Sequence, residues 1–183
     1  MKPSKLLRLR KFPWICSLAL LSASWIPAHA QQPAVVKASI VLSTDVVHPG
    51  ALAHAKVIAR IAPGYHVNSH HPSVDYAIPT ELKIRRSPEA SLASVHYPEG
   101  HPRKFAFENK PLSVYEGRLT IEATLRIASS AHPGNYVLHG LLSYQACNDQ
   151  ACLPPASIPL SLTFRVAPQS VRLKPSNSAA FKR

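Results

Sequence analysis

The 183 residues carry 21 Lys and Arg against 9 Asp and Glu, a formal net charge of +12. Five of those bases (Lys2, Lys5, Arg8, Arg10 and Lys11) lie in the first thirty positions, so the other 153 residues hold 16 bases against 9 acids, or +7. That excess is scattered apart from Lys83, Arg85, Arg86 and the tail "KPSNSAAFKR", with no basic and aromatic residues interleaved on one element, which argues against nucleic-acid binding and for a solvated basic surface.

Residues 1–30 read as an export signal. The basic start lacks acids, the apolar run from Phe12 through "PWICSLALLSASWI" follows, and "AHA" (Ala28 to Ala30) supplies the small-x-small pattern that signal peptidase cleaves. Cys16 follows Ile15 rather than the small residue expected before a lipidated cysteine. No later stretch has the eighteen apolar residues of a membrane span, so no transmembrane segment is expected after signal cleavage. What remains is the size of one domain, with enough chain for a hydrophobic core that needs no staples.

From residue 35 the chain reads as strands. "VVKASIVLS" (Val35 to Ser43) and "AHAKVIARIA" (Ala53 to Ala62) alternate in part with period two, and the Pro-Gly pair of "VVHPGAL" marks the turn between them. "TELKIRR" (Thr80 to Arg86), "LASVHYP" (Leu92 to Pro98), "PLSVYEG", "RLTIEATLRIA" (Arg118 to Ala128), "NYVLHGLLSYQAC" (Asn135 to Cys147) and "SIPLSLTFRVA" (Ser157 to Ala167) follow at short spacing. Most of the 18 prolines fall at the joints, and no window of a dozen residues keeps a helical period between caps. The expectation is an all-β domain over residues 35–167, an immunoglobulin-like β-sandwich, with a flexible stretch at 31–34 and a disordered basic tail at 168–183.

Once Cys16 leaves with the signal, two cysteines remain, Cys147 and Cys152, in "YQACNDQACLPP". Export allows a disulfide to persist. A structural staple is one reading, although a six-residue ring contributes only about 2 kcal/mol by the chain-entropy estimate. A metal clip is another, but a closed zinc site wants four ligands and no second cysteine pair exists; the histidines of "HVNSHH" (His66, His70, His71) read as solvated loop residues. The third is a working redox pair: an apolar strand leads to Cys147, a polar turn follows, and Cys152 opens a Pro-rich exit where Pro154 and Pro155 leave an edge a partner can approach. Short, exposed rings of this kind have the potentials of labile or catalytic disulfides.

The motif resembles that of the N-terminal periplasmic domain of the DsbD thiol:disulfide interchange family, in which Tyr-Gln-x-Cys precedes a short polar loop and Cys-x-Pro-Pro follows it. "GYHVNSHHP" with "IPTELKI", and "YPEGHPRKF" with "LSVYEGRLTI", resemble further family segments in the same order, and together they span most of residues 35–166. The resemblance implies an immunoglobulin-like domain that carries two electrons by thiol-disulfide exchange in the periplasm, needing no cofactor. Its partners would be thioredoxin-like redox proteins. Because the membrane and thioredoxin-like domains of the full family protein have no counterpart in this sequence, a separate membrane electron donor is expected.

By motif position Cys152 matches the cysteine that forms the mixed disulfide and Cys147 its resolving partner. The family shields its pair with a cap loop carrying an aromatic residue; "RKFAFENKP" is the matching region, which makes Phe105 or Phe107 the candidate beside the reading of both as ordinary core or edge aromatics. Tyr144, just ahead of the pair, is a further candidate for capping or tuning. Asp149, between the cysteines, is either a carboxylate that raises the thiol pKa or an ordinary turn residue. The competing function is a non-catalytic immunoglobulin-like binding module whose disulfide shapes a loop.

Overall fold

The computed structural model describes residues 34–181 except residue 107. The expected signal at 1–30, most of the stretch at 31–34, Phe107 and the last two residues of the basic tail lie outside the described residues.

The longest strands show why a sandwich forms. In β2 (Leu52–Ile61) and β8 (Arg118–Ile127) every second side chain is buried: Ala53, Ala55, Val57, Ala59 and Ile61 on one, Leu119, Ile121, Ala123, Leu125 and Ile127 on the other. Period-two burial needs an extended chain with one face against a core. Their register sets Ala53 opposite Leu125, Ala59 opposite Leu119 and Val57 opposite Ile121, so small residues often face large ones and the inner layer interdigitates. β1 (Val36–Leu42) pairs with the free edge of β2, and β5 (Ala90–His96) with that of β8, giving the order β1-β2-β8-β5.

The facing sheet has the order β11-β9-β4, from β11 (Ala156–Val166), β9 (Gly134–Tyr144) and β4 (Glu81–Ile84). It buries Leu138, Leu142 and Tyr144 from β9 and Leu160, Leu162, Phe164 and Val166 from β11. Gly140 in β9 is required by close approach, because an added Cβ would stand 2.6 Å from Ile84 Cδ1 and 2.9 Å from the Lys83 carbonyl oxygen. Lettering β1, β2, β4, β5, β8, β9 and β11 as A to G yields sheets A-B-E-D and G-F-C. That is the constant-type immunoglobulin arrangement, and the chain is an immunoglobulin-like β-sandwich.

The strands outside that lettering make a third sheet. β3 (His66–Asn68) lies in the B–C connection, β6 (His101–Arg103) and β7 (Leu112–Glu116) in the D–E connection, and β10 (Ala146–Cys147) in the F–G connection; they join in the order β10-β3-β7-β6. In this fold those three connections emerge at the same end of the sandwich, which is why short inserts from distant parts of the sequence can pair. Gly117, with φ of 61°, is the single residue between β7 and β8 and lets the chain pass from the end sheet into the sandwich.

Beyond β11 the chain returns along the first strand. The Asp45 amide donates to the Lys174 carbonyl oxygen at 3.0 Å, and the Ser176 amide to that of Ser43 at 2.8 Å. A four-residue helix, α1 (Ser178–Phe181), follows, with the Lys56 ammonium 5.0 Å from the Phe181 ring centre.

Candidate functional site

The end sheet has two distinct faces. Ala146, Val67 and Tyr115, aligned across β10, β3 and β7, are buried in the main core. One residue along, Cys147, His66 and Glu116 form the next cross-strand row, and alternation turns it to the opposite face. Cys147 is 0% and His66 1% exposed there. A small second core of Phe105, Leu112 and Val114, with Val74 packed on it, roofs this face.

Cys147 and Cys152 are joined by a disulfide, with their Cα atoms 3.9 Å apart. The turn between them is held by its own polar groups. Asn148 Oδ1 accepts from the amides of Gln150 at 2.9 Å and Ala151 at 2.8 Å, and the Asn148 amide donates to the Ala151 carbonyl oxygen at 3.0 Å. This Asx-type arrangement closes the polar loop without a glycine. Outside the turn, the Leu153 amide donates to the Ala146 carbonyl oxygen at 2.8 Å, and Gln145 Nε2 donates to that of Leu153 at 3.2 Å. The two sulfurs therefore meet different surroundings: Cys147 is sealed in the sheet, whereas Cys152 is exposed.

Phe105, 4% exposed, follows β6 and stacks on His66 with ring centres 4.1 Å apart and planes at 24°. The Arg103 guanidinium stands 5.2 Å from the other side chain of this stack, the Phe105 ring, and pairs with the Glu116 carboxylate as well as with Asp149 Oδ1 at 3.2 Å. His101 Nε2 is 3.0 Å from Glu116 Oε2. One arginine thus links the roof, the sheet and the turn between the cysteines. Two loops brace the roof: Ser73 Oγ donates to the Pro111 carbonyl oxygen at 2.8 Å, and the Tyr76 hydroxyl donates to Glu108.

Burial first, and the Arg103 charge second, lower the His66 pKa to about 4, with Asp149 pulling the other way. The ring is neutral at neutral pH. Its Nε2 is buried and has no hydrogen-bond partner among the described residues.

Of the residues singled out in the sequence, Cys147, Cys152, Asp149 and Phe105 come together here. Tyr144 does not: it is 7% exposed in the main core, opposite Ala156 across β9 and β11, and burial raises its pKa. Asp149 sits on the outside of the turn, its side chain 72% exposed in its pair with Arg103, while Asn148 makes the turn's internal bonds. The histidines of "HVNSHH" correct the expectation of solvated loop residues. His66 is a strand residue on the buried face, and His70 stacks on Tyr97 with centres 3.7 Å apart, its Nδ1 donating to the Thr80 carbonyl oxygen at 3.0 Å; only His71 is exposed. Three residues are too few to show a period, so β3 could not be read before its partners β7 and β10 were in place. His66 and Arg103 are the site residues that sequence reasoning missed. Among the described residues, no three or more His, Cys, Asp or Glu cluster as metal ligands would, nor is any helix long and apolar enough to cross a membrane.

The family described as thiol:disulfide interchange protein DsbD, N-terminal, matches residues 32–162. No curated protein matches the chain. Among solved structures, the N-terminal periplasmic domain of ScsB from Proteus mirabilis is similar at 16% identity with a TM-score of 0.47, the match covering 69% of this chain and 44% of that one. The present chain thus spans less than half of that relative's length. A structure of the complex between the DsbD and PilB N-terminal domains from Neisseria meningitidis is similar at 17% identity and a TM-score of 0.39, covering 67% of this chain and 80% of that one. A type I cohesin from Pseudobacteroides cellulosolvens follows at 12% identity and 0.42, covering 73% and 94%.

Proposed function

Because the chain belongs to the family of N-terminal domains of the thiol:disulfide interchange protein DsbD, we propose that Cys147 and Cys152 are its working pair and that it carries two electrons between redox proteins of the periplasm. The observation that carries this reading is the asymmetry of the two sulfurs, Cys147 wholly buried and Cys152 exposed. Exchange needs one sulfur that a partner thiolate can reach in line and another that waits beside it.

In the reducing half, a thiolate of a thioredoxin-like donor attacks Cys152 Sγ. The bond between the two cysteines breaks, its electron pair leaves on Cys147 Sγ, and a mixed disulfide forms. The donor's second thiol then displaces Cys152, releasing a dithiol domain and an oxidised donor. In the other half, Cys152 attacks the disulfide of an oxidised exported protein, and Cys147 closes the ring again. Two electrons and two protons pass each way, and no cofactor is called for. A membrane protein would in turn supply the donor.

The test is to trap each half. Cys147→Ser should hold a stable mixed disulfide through Cys152 with a thioredoxin-like protein, and Cys152→Ser should trap little. A reduction potential below about −300 mV together with no capture by either variant would mark a structural bridge and favour the binding-module reading.

A further inference from the structure

The site leaves one polar atom without an account, and it belongs to the residue directly opposite the resolving cysteine. His66 faces Cys147 across β3 and β10, and paired residues of an antiparallel ladder point to one face with Cβ atoms about 5 Å apart. The ring is 1% exposed beneath Phe105, and its Nε2 has no hydrogen-bond partner among the described residues. Leaving such a group unpaired costs on the order of 1–3 kcal/mol. The other buried polar side chains of this end make their bonds: Thr80 Oγ1 donates to the Asn68 carbonyl oxygen at 2.6 Å, Asn68 Nδ2 to that of Ile78 at 3.1 Å, and Ser69 Oγ to that of His71 at 2.8 Å. In the disulfide form Cys147 has no hydrogen to offer. Reduced, it carries an S–H on the same face of the sheet as His66 Nε2.

We propose that His66 is the proton acceptor for Cys147: Nε2 holds the thiol hydrogen in the reduced domain and takes it as Cys147 closes on Cys152. The inference rests on the exchange reading above. In that step the Cys147 S–H gives its proton to Nε2, and its sulfur attacks Cys152 Sγ. The Cys147–Cys152 bond forms, the bond from Cys152 to the partner breaks, and the electron pair leaves on the partner's sulfur. Cys147 is oxidised and the partner reduced. The imidazolium, disfavoured by burial and by the nearby Arg103 charge, then yields its proton to the departing thiolate or to water. An acceptor must be neutral beforehand, and the same burial ensures it. Around the row, Glu116 of β7 lies opposite His66 on its other side, with Arg103 and His101 of β6 and Asp149 of the turn beyond.

The closing step is measurable with a chromogenic disulfide. Reduced protein treated with one equivalent of 5,5'-dithiobis(2-nitrobenzoate) should release one thionitrobenzoate when Cys152 is modified and a second when Cys147 closes the ring. His66→Phe keeps a ring in the stack and removes the acceptor; His66→Gln keeps an acceptor in a different shape. At pH 7 the first release should be unchanged in both variants. The second should slow about a hundredfold in His66→Phe, the lower end of general-base effects, and less in His66→Gln. The deficit should close only at pH above the value of about 8.5 at which an exposed thiol ionises, because a buried thiol ionises later. The thermal midpoint of the oxidised His66→Phe variant should not fall, since that form loses no hydrogen bond. A second release as fast in His66→Phe as in wild type, or a deficit unchanged across pH, overturns the assignment. If wild type itself gives no second release, the exchange reading fails first.

Discussion

The sandwich and the sheet at its end are built on opposite terms. In the sandwich, strands of ten and eleven residues alternate strictly, and the buried side chains are aliphatic or aromatic, with Ile121, Leu125 and Leu142 each no more than 1% exposed. The end sheet has strands of two, three, five and three residues, and its neighbourhood holds all four buried polar side chains among the described residues: His66, Asn68, Ser69 and Thr80. One region spends its burial on apolar area, which is unconditionally favourable. The other buries groups that are stable only when each partner is present. Stability and chemistry are thereby separated: the sandwich holds the ends of three connections still, and the sheet they make can carry an unpaired nitrogen and a breakable bond without endangering the fold.

The largest effect should come from the sandwich alone. Leu125→Ala removes a side chain that is 1% exposed, flanked across the sheet by Ala53 of β2 and Leu92 of β5. A loss of about 4 kcal/mol in unfolding free energy is expected by urea denaturation. The reduction potential of the folded variant should match wild type. A shifted potential would mean that the two regions are coupled through the core and that their separation is illusory.

The next effect belongs to the end sheet and depends on pH. His66 has a folded pKa of about 4 against an ordinary value of 6.5. Between those values the unfolded chain binds a proton that the folded one refuses, so stability is complete above pH 6.5 and falls as pH drops towards 4. The difference is about 3 kcal/mol. His66→Phe should flatten that part of the profile, measured as the difference between the two proteins at each pH so that other histidines cancel. Equal slopes would place the ring in water.

Reducing the disulfide should cost less, about 2 kcal/mol, because the ring it closes is short. Denaturation midpoints with and without a small-molecule reductant measure it. A cooperative unfolding on reduction at room temperature would make the pair a staple for the whole domain rather than a device on its end.

The same division explains what could be read from the sequence. Alternation over ten residues survives in a bare chain, so β2, β8, β9 and β11, and with them the all-β class, were legible in "AHAKVIARIA", "RLTIEATLRIA", "NYVLHGLLSYQAC" and "SIPLSLTFRVA". The two cysteines were equally plain, since spacing and flanking prolines are local. β3, β6 and β10 carry two or three residues each and exist only because three connections meet at one end. His66 therefore looked like one of several loop histidines, although its neighbour in space is Cys147, eighty-one positions away along the chain. The Arg103 link between Phe105, Glu116 and Asp149 was illegible for the same reason.

The smallest effect tests how far the turn's carboxylate reaches the sulfurs. Asp149 is 72% exposed and Arg103 38%, so their pair should contribute less than about 1 kcal/mol to stability, and added salt should weaken it. Its influence on chemistry is a separate matter. A free carboxylate beside a thiol opposes the thiolate and moves alkylation to higher pH, but a guanidinium at 3.2 Å cancels most of that charge at a distance. Asp149→Asn should therefore shift the alkylation profile of the reduced protein only slightly to lower pH. In an Arg103→Gln background the same substitution should shift it further, because the carboxylate there acts alone. Equal shifts in both backgrounds would mean that Arg103 does not govern what the sulfurs feel, and no shift in either would leave Asp149 as a turn residue whose charge the chemistry ignores.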